Sequence, residues 1–286
     1  MAATDGNHGR AVAKLAALLG LKSTIFIPAS VSLHSKECIE SEGAMVHVVQ
    51  GSYDEAVRVA SVAAASSSSK VLIQDTSWPG YETIPAQIVS GYTTLFAEID
   101  SQLAALHLPP PSLVVVPVGV GSLAHSAVLH YRRRVTESLS TLDTSSFPSN
   151  SSTSSAPSIL SVEPTNAPCL LTSLLAEESR SILTTDTIMP GLNCGTVSPL
   201  AWPDLEAGID AAVSVDDAQA VEALRELEAQ GVASGPCGAA TLAGLYEALS
   251  TEERRANLRL TSSSVVVLIS TEGPGVFVGG NTTASV

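Results

Sequence analysis

The stretch Leu113-Val114-Val115-Val116-Pro117-Val118-Gly119-Val120-Gly121-Ser122 decides the fold class of this 286-residue chain. Its first part is apolar and mostly β-branched, which is typical of a buried strand. The two glycines then predict a tight turn, and the apolar residues after Ser122 have helical spacing. A strand, a glycine turn and a helix in that order form the building unit of α/β folds with parallel strands.

The rest of the chain repeats this alternation of strand and helix patterns. In the first part we expect helices at 8–20, 33–42, 53–65 and 84–106, and strands at 23–27, 45–49 and 71–74. Beyond the prolines at 109–111 we expect strands at 113–117, 159–163 and 264–270, and helices at 122–134, 167–177, 199–207, 216–229 and 239–249. Strands joined through helices run parallel, with right-handed crossovers. The pattern therefore predicts two α/β lobes, residues 1–106 and residues 107–286.

One segment interrupts the second lobe. Residues 136–158 are more than half serine and threonine, include Pro148 and Pro157, and contain few apolar side chains. Such a composition does not bury enough surface to offset the entropy of ordering it. We therefore expect a disordered surface insertion at 136–158.

Composition narrows the classes of function. The formal net charge of −14 argues against nucleic-acid binding, which needs a basic surface. Apolar runs are too short to span a membrane, and no segment looks like a targeting signal, so we expect a cytoplasmic protein. The cysteines are scattered and form no Cys-x-x-Cys pair, which predicts neither a disulfide scaffold nor a metal site.

The turn Gly119-Val120-Gly121 admits three interpretations. Glycines before a helix N-terminus let backbone amides approach a phosphate closely. Gly119, Gly121 and Ala124 also match the dinucleotide-binding pattern, but that pattern needs an acidic residue about 20 positions later, at the end of a second strand. The chain is inside its serine-rich tract at that point, and Glu163 comes much later. The third interpretation is a purely structural turn.

Polar clusters follow three predicted strands. Asp75 follows 71–74, the glycine turn follows 113–117, and Thr271 follows 264–270. Ligands of open parallel sheets bind beyond the carboxyl ends of the strands. We therefore expect these clusters to share one binding site.

Four motifs together resemble the pyridoxal-phosphate (PLP) enzymes related to the tryptophan synthase β chain, and most closely the diaminopropionate ammonia-lyases. The motifs are Thr4-Asp5-Gly6-Asn7-His8-Gly9-Arg10, Gln74-Asp75-Thr76-Ser77-Trp78-Pro79-Gly80-Tyr81, Gly119-Val120-Gly121-Ser122 and Ser270-Thr271-Glu272-Gly273. The resemblance implies a two-lobed fold-type-II architecture with parallel sheets flanked by helices. It also implies PLP as cofactor, a small amino acid as substrate, and a homodimer.

The resemblance assigns cofactor-binding roles. It implies that Asn7 bonds the 3′ oxygen of the cofactor and that Thr271 meets the pyridine nitrogen. A neutral hydroxyl there makes the ring a mild electron sink, which suits β-elimination. The residues implied to grip the phosphate are Gly119, Val120, Gly121, Ser122 and Leu123.

Asp5 and Asp75 point to the ammonia-lyase subgroup. The resemblance implies that Asp5 acts as a base and that Asp75 orients the substrate. Two carboxylates suit a diamino acid, because each is able to pair with an ammonium or relay a proton. The implied reaction eliminates ammonia from a 2,3-diamino acid such as diaminopropionate, giving pyruvate and a second ammonia. Elimination like that of serine and threonine dehydratases is the alternative within the fold.

Several positions depart from the family or stay open. Relatives carry Glu and Ser where this chain has Pro236 and Cys237, and a small residue where it has His125. Cys169 and Cys194 fall on cysteines that are able to pair in diaminopropionate ammonia-lyases, although reduced thiols are expected in the cytoplasm.

A Schiff-base lysine is also implied, upstream of the loop that Asp5 begins, where this sequence has almost nothing. The lysines that are present fit ordinary surface positions: Lys14, Lys22, Lys36 and Lys70. We therefore expect an incomplete smaller lobe, weak PLP binding, no stable Schiff base and negligible lyase activity. A truncated gene model and a degenerate, non-catalytic PLP-binding paralogue would both produce this sequence.

Overall fold

The computed structural model describes residues 1–4, 6–140 and 156–273. Asp5 and residues 141–155, the centre of the predicted insertion, lie outside the described residues. Within the described residues, residues 136–140 continue a helix and Ser158 begins a strand, and the insertion at 136–158 stays a prediction.

The strands of the described residues lie in two parallel sheets. A three-stranded sheet has the order β1-β2-β3, and a four-stranded sheet has the order β6-β5-β4-β7. The strands are β1 (Ala2–Ala3), β2 (Thr24–Pro28), β3 (Met45–Val49), β4 (Leu113–Pro117), β5 (Ser158–Pro164), β6 (Ala211–Val215) and β7 (Val266–Leu268). The register pairs Ile25 with Val46 in the smaller sheet and Val115 with Leu160 in the larger one.

Helices flank both sheets. They are α1 (Asn7–Leu18), α2 (Leu33–Ser41), α3 (Tyr53–Ala65), α4 (Thr83–Ala105), α5 (Ser122–Ser140), α6 (Cys169–Ala176), α7 (Trp202–Gly208), α8 (Asp217–Ala229), α9 (Pro236–Ala248) and α10 (Glu252–Asn257). The prediction of an α/β fold with parallel sheets flanked by helices is confirmed. Within the described ranges, none of these helices is long and apolar enough to cross a membrane.

The larger sheet is buried on both faces, because the side chains of each strand alternate between them. Val115 of β4 packs with α8 and α9 on one face, in a core that also contains Leu160. Val114 packs on the other face with Phe96 of α4 and Leu205 of α7. Full burial of each such side chain contributes about 1.5–3 kcal/mol. This doubly covered sheet explains the continuous apolar run at 113–117.

The smaller sheet is covered less completely. Ile25 and Ile27 of β2 pack with Ala13 of α1 on one face, and Phe26 packs with Ala60 of α3 on the other. The outer strand β3 is largely exposed. We retain the division into lobes 1–106 and 107–286 as a proposal, although α4 packs against α5 of the larger sheet.

The predicted strand at 71–74 is wrong. Two backbone hydrogen bonds join this segment to the chain start, from Met1 N to Val71 O (2.7 Å) and from Ile73 N to Met1 O (2.8 Å). The side chain of Gln74 then replaces the backbone ladder. Its Oε1 accepts from Ala3 N (2.8 Å), and its Nε2 donates to Ala3 O (3.1 Å).

Candidate active site

A cleft of about 200 Å³ lies where the carboxyl ends of strands from both sheets meet. It is bordered by Pro117 at the end of β4, by Thr4 just after β1 and by Thr271 after β7. Every predicted site residue within the described ranges lines this cleft: Asn7, Asp75, Gly119, Val120, Gly121, Ser122, Leu123 and Thr271. Asp5 lies outside the described residues, between Thr4 and Gly6, which both line the cleft.

The turn after β4 has no room for a side chain at either of its two glycines. Gly121 has φ +90°, a conformation that favours glycine. A Cβ atom at Gly119 would lie 2.7 Å from the carbonyl oxygen of Gly191. The turn leads directly into Ser122, the first residue of α5. Backbone amides and the helix dipole at such a helix start attract an anion, so this loop fits a phosphate group.

The loop before α1 is held by Thr4. Its hydroxyl accepts hydrogen bonds from Gly6 N (2.9 Å) and Gly9 N (3.0 Å). Asn7 follows this loop as the first residue of α1, and its Nδ2 lies 3.5 Å from the carbonyl oxygen of Thr271. The structure therefore brings Asn7, near the smaller sheet, next to Thr271, which follows β7 of the larger sheet, and both line one cleft.

Asp75 belongs to a buried hydrogen-bond network. Its Oδ1 accepts from the Tyr53 hydroxyl (3.0 Å) and from Gln74 Nε2 (3.0 Å). Gln74 Nε2 also donates to the Tyr53 hydroxyl oxygen (2.8 Å). These contacts fix the orientation of the carboxylate in the cleft.

Several cleft residues were missed by sequence reasoning. Tyr53, Tyr92 and Glu272 all line the cleft. Tyr53 begins α3, and Tyr92 lies within α4. The patterns of both helices indicated only packing, so the sequence carried no signal that these tyrosines line a site. Burial raises the pKa of Tyr92 to about 12, and the negative charge of Asp75 adds to this rise.

Glu272 closes the start of α9. Its Oε2 accepts from Cys237 N (2.8 Å), and its carbonyl oxygen accepts from Gly235 N (2.9 Å). Burial raises the pKa of Glu272, while the hydrogen bonds to Cys237 oppose the rise. The position of Glu272 next to Thr271 in the fourth motif was a signal that the sequence did offer.

Glu163 lies in the core and not in the cleft. Its Oε1 and Oε2 accept from Leu170 N and Leu171 N, both at 2.7 Å, so the carboxylate holds the start of α6. Burial raises the pKa of Glu163 to about 7 against these hydrogen bonds. A residue held in this way is not available to a ribose, which counts against the dinucleotide interpretation.

Cys169 and Cys194 both lie against the glycine turn. Cys169 Sγ is 3.7 Å from the carbonyl oxygen of Gly119, and Cys194 Sγ would lie 3.1 Å from a Cβ atom at Gly119. The structure holds both as buried thiols. His125 of α5 is not among the residues that line the cleft. Its Nε2 lies 2.6 Å from Asp204 Oδ2 of α7.

No lysine borders the cleft among the residues that the structure describes. Lys14 Nζ pairs with Glu42 (3.0 Å), Lys36 Nζ pairs with Glu40 (3.4 Å), and Lys70 Nζ bonds Ser66 Oγ (2.9 Å). Lys22 is exposed. In the same described ranges, no cluster of side chains is suited to hold a metal ion.

Comparisons with known proteins identify the family of this chain. A model of the family described as "pyridoxal-phosphate dependent enzyme" matches residues 1–272. Diaminopropionate ammonia-lyase of Salmonella typhimurium is 35% identical over 95% of this chain and 66% of its own length. An L-serine dehydratase/L-threonine deaminase of Rattus norvegicus is 33% identical over 42% of this chain and 30% of its own length.

A solved structure supports the fold. Diaminopropionate ammonia-lyase of Escherichia coli, in complex with an aminoacrylate–PLP azomethine reaction intermediate, has a TM-score of 0.80 at 31% identity. That match covers 95% of this chain and 67% of the E. coli chain. The chain spans about two thirds of the length of the curated diaminopropionate ammonia-lyases that it matches, 66% and 65% in two of them.

The predicted fold-type-II architecture is confirmed by these structural neighbours. The cleft also fits the cofactor of that architecture, because the glycine turn suited to a phosphate lines the same cleft as Asn7 and Thr271. The chain thus belongs to the pyridoxal-phosphate-dependent enzyme family, with fold-type-II architecture and pyridoxal phosphate as its cofactor.

Proposed function

We propose that this cleft binds PLP and a 2,3-diamino acid, and that it serves the elimination of ammonia from Cβ. The observation that carries the proposal is the fixed carboxylate of Asp75, which shares one cleft with the phosphate loop. The net reaction converts 2,3-diaminopropionate and water to pyruvate and two ammonia molecules. PLP, when bound, supplies the electron sink that such an elimination requires.

The proposal gives each residue a defined task. The loop 119–123 binds the phosphate, Asn7 bonds the 3′ oxygen, and Thr271 meets the pyridine nitrogen. Asp75 pairs with the β-ammonium of the substrate, because its carboxylate is already oriented by Tyr53 and Gln74. Asp5 accepts the α-proton, a role that its neighbours support because Thr4 and Gly6 line the cleft.

Two other functions have specific support. The match to an L-serine dehydratase/L-threonine deaminase favours a related elimination from a hydroxy amino acid. The absence of a lysine among the described cleft residues favours a protein that binds PLP without turnover.

One experiment separates the three functions. A form of the protein that also carries the lysine-bearing segment implied by the family resemblance is incubated with PLP and 2,3-diaminopropionate, serine or threonine in turn, and the release of keto acid and ammonia is measured. Borohydride reduction followed by peptide mapping then shows whether any lysine carries the cofactor.

Release of keto acid and ammonia from 2,3-diaminopropionate alone supports the proposal. Release of these products from serine or threonine alone contradicts it and favours the dehydratase function. PLP binding without release from any substrate favours the non-catalytic function. In an active form of the protein, Asp5→Asn should reduce turnover more than PLP binding, and the reverse result would remove Asp5 from its proposed role.

We also propose a homodimer and a cytoplasmic location. The dimer is proposed from the family alone. A monodisperse monomer by light scattering at micromolar concentration would contradict it.

A further inference from the structure

Two polar groups of the cleft have unused hydrogen-bonding capacity. Asp75 Oδ1 accepts two hydrogen bonds, but Oδ2 accepts none from any residue that the structure describes. Tyr92 of α4 lines the same cleft, and its hydroxyl likewise has no hydrogen-bond partner in the described ranges. A half-buried phenol in a ligand cleft normally satisfies its hydroxyl, so a ligand is the natural partner.

The two groups influence each other electrostatically. Besides burial, the charge of Asp75 contributes to the raised pKa of Tyr92. The phenol therefore stays neutral throughout the physiological range and presents a hydroxyl dipole in the same cleft as the carboxylate of Asp75.

Tyr53 has a different role, although it is closer to Asp75 in the network. Its hydroxyl donates its one proton to Asp75 and accepts from Gln74, so it orients the carboxylate. Tyr92 is the tyrosine whose hydroxyl has capacity left for a ligand.

We infer that Tyr92, together with Asp75, selects substrates that carry an ammonium group at Cβ over those that carry a hydroxyl. This inference rests on the proposed function, which it deepens by naming a specificity-determining residue. An ammonium has three N–H donors and a positive charge, and a carboxylate oxygen and a phenol oxygen are suitable acceptors for two of them. A hydroxyl has one donor and no charge, so it donates one hydrogen bond and forms no ion pair with Asp75.

The inference is testable by binding, without turnover. The probes are the stable reduced adducts of PLP with 2,3-diaminopropionate and with serine, which differ only in the β-amino or β-hydroxyl group. Their affinities for the chain are measured by isothermal titration calorimetry. The test variant is Tyr92→Phe, which removes only the hydroxyl. The control variant is Tyr246→Phe, which removes the hydroxyl that Tyr246 of α9 donates to Glu226 of α8 at the surface.

We expect the original chain to bind the diamino adduct about 10-fold more tightly than the serine adduct, because only the β-ammonium forms an ion pair with Asp75 and has further donors for Tyr92. Tyr92→Phe should weaken binding of the diamino adduct about 10-fold and change binding of the serine adduct less than about threefold. Tyr246→Phe should change neither. Unchanged serine-adduct affinity also shows that Tyr92→Phe is folded.

The outcomes separate this inference from the function on which it rests. If neither adduct binds the original chain, or both bind equally, the proposed function fails and the inference fails with it. If the original chain prefers the diamino adduct and Tyr92→Phe keeps that preference, only the role of Tyr92 is overturned. If Tyr92→Phe weakens the binding of both adducts equally, the role of Tyr92 in selection is likewise overturned.

Discussion

At the scale of single residues, Gly119 tests the phosphate loop. A Cβ atom there would lie 2.7 Å from Gly191 O, a backbone atom that is unable to rotate away. Gly119→Ala should therefore displace the loop, weaken ligand binding at least about 10-fold and lower the free energy of unfolding by about 1–3 kcal/mol. The measurement is a titration with 4′-deoxypyridoxine phosphate, which keeps the ring and phosphate but needs no lysine.

The control for this prediction is Gly91→Ala on α4. A Cβ atom at Gly91 meets nothing within 4 Å, and alanine favours a helix over glycine. Gly91→Ala should leave the affinity for 4′-deoxypyridoxine phosphate unchanged. Equal affinities of Gly119→Ala and the original chain would show that the turn does not hold the phosphate.

The sequence identified site residues where a motif marked them. Asn7, Asp75 and Thr271 lie in the cleft, as their motifs suggested. Tyr92 was not identified, because its place on α4 reflects how α4 packs against α5, and periodicity reports only the buried face of a helix. The roles of all these residues remain predictions.

At the scale of elements, the contact between α9 and β5 depends on Gly244. A Cβ atom at Gly244 would lie 2.3 Å from Val162 Cγ2, and both residues are in the core of the larger sheet. Gly244→Ala should therefore lower the free energy of unfolding by about 1–3 kcal/mol through overpacking. Urea denaturation measures the free energy of unfolding of Gly244→Ala and of Gly91→Ala as its control. Equal values for the two variants would contradict the close packing at Gly244.

The junction of β5 and α6 should make stability depend on pH. Glu163 is fully buried there, and its pKa is raised from 4.5 to about 7. A pKa that is higher in the folded state means that the protonated form stabilises the fold. This stabilisation is fully present below about pH 4.5 and is lost as the pH rises through 7.

We expect this loss to be on the order of 2–3 kcal/mol between pH 5 and 8. Glu163→Gln removes the titration, so its unfolding free energy should vary less with pH over the same range. Parallel pH dependences of Glu163→Gln and the original chain in urea denaturation would show that another group is responsible.

Sequence patterns predicted most helices and strands, because the spacing of apolar residues and the turn residues between them are local signals. The strand at 71–74 failed because the side chain of Gln74, and not its backbone, bonds Ala3, which is distant in sequence. Strand β6 was missed because Ala211-Ala212 has low β propensity and gains its place only by pairing with β5. Both errors arise from tertiary contacts that no local window contains.

At the scale of the whole molecule, two buried serines connect the segment after Asp75 to the phosphate loop. Ser77 N donates to Ser198 Oγ (3.1 Å), and the two hydroxyls are 3.0 Å apart. Ser198 N in turn donates to the carbonyl oxygen of Val120 (2.8 Å). This chain of hydrogen bonds fixes the width of the cleft between the substrate side and the phosphate side.

Ser198→Ala should therefore affect both stability and ligand affinity. It leaves the buried amide of Ser77 without its partner, which should lower the free energy of unfolding by about 1–3 kcal/mol. It should also weaken binding of 4′-deoxypyridoxine phosphate about three- to tenfold, since part of the binding energy is then spent on ordering the cleft. Ser101→Ala, at an exposed position of α4, removes a hydroxyl that donates to Ala97 O and should change neither quantity. A Ser198→Ala variant that loses stability but keeps full affinity would show that these serines hold the fold together without setting the geometry of the cleft.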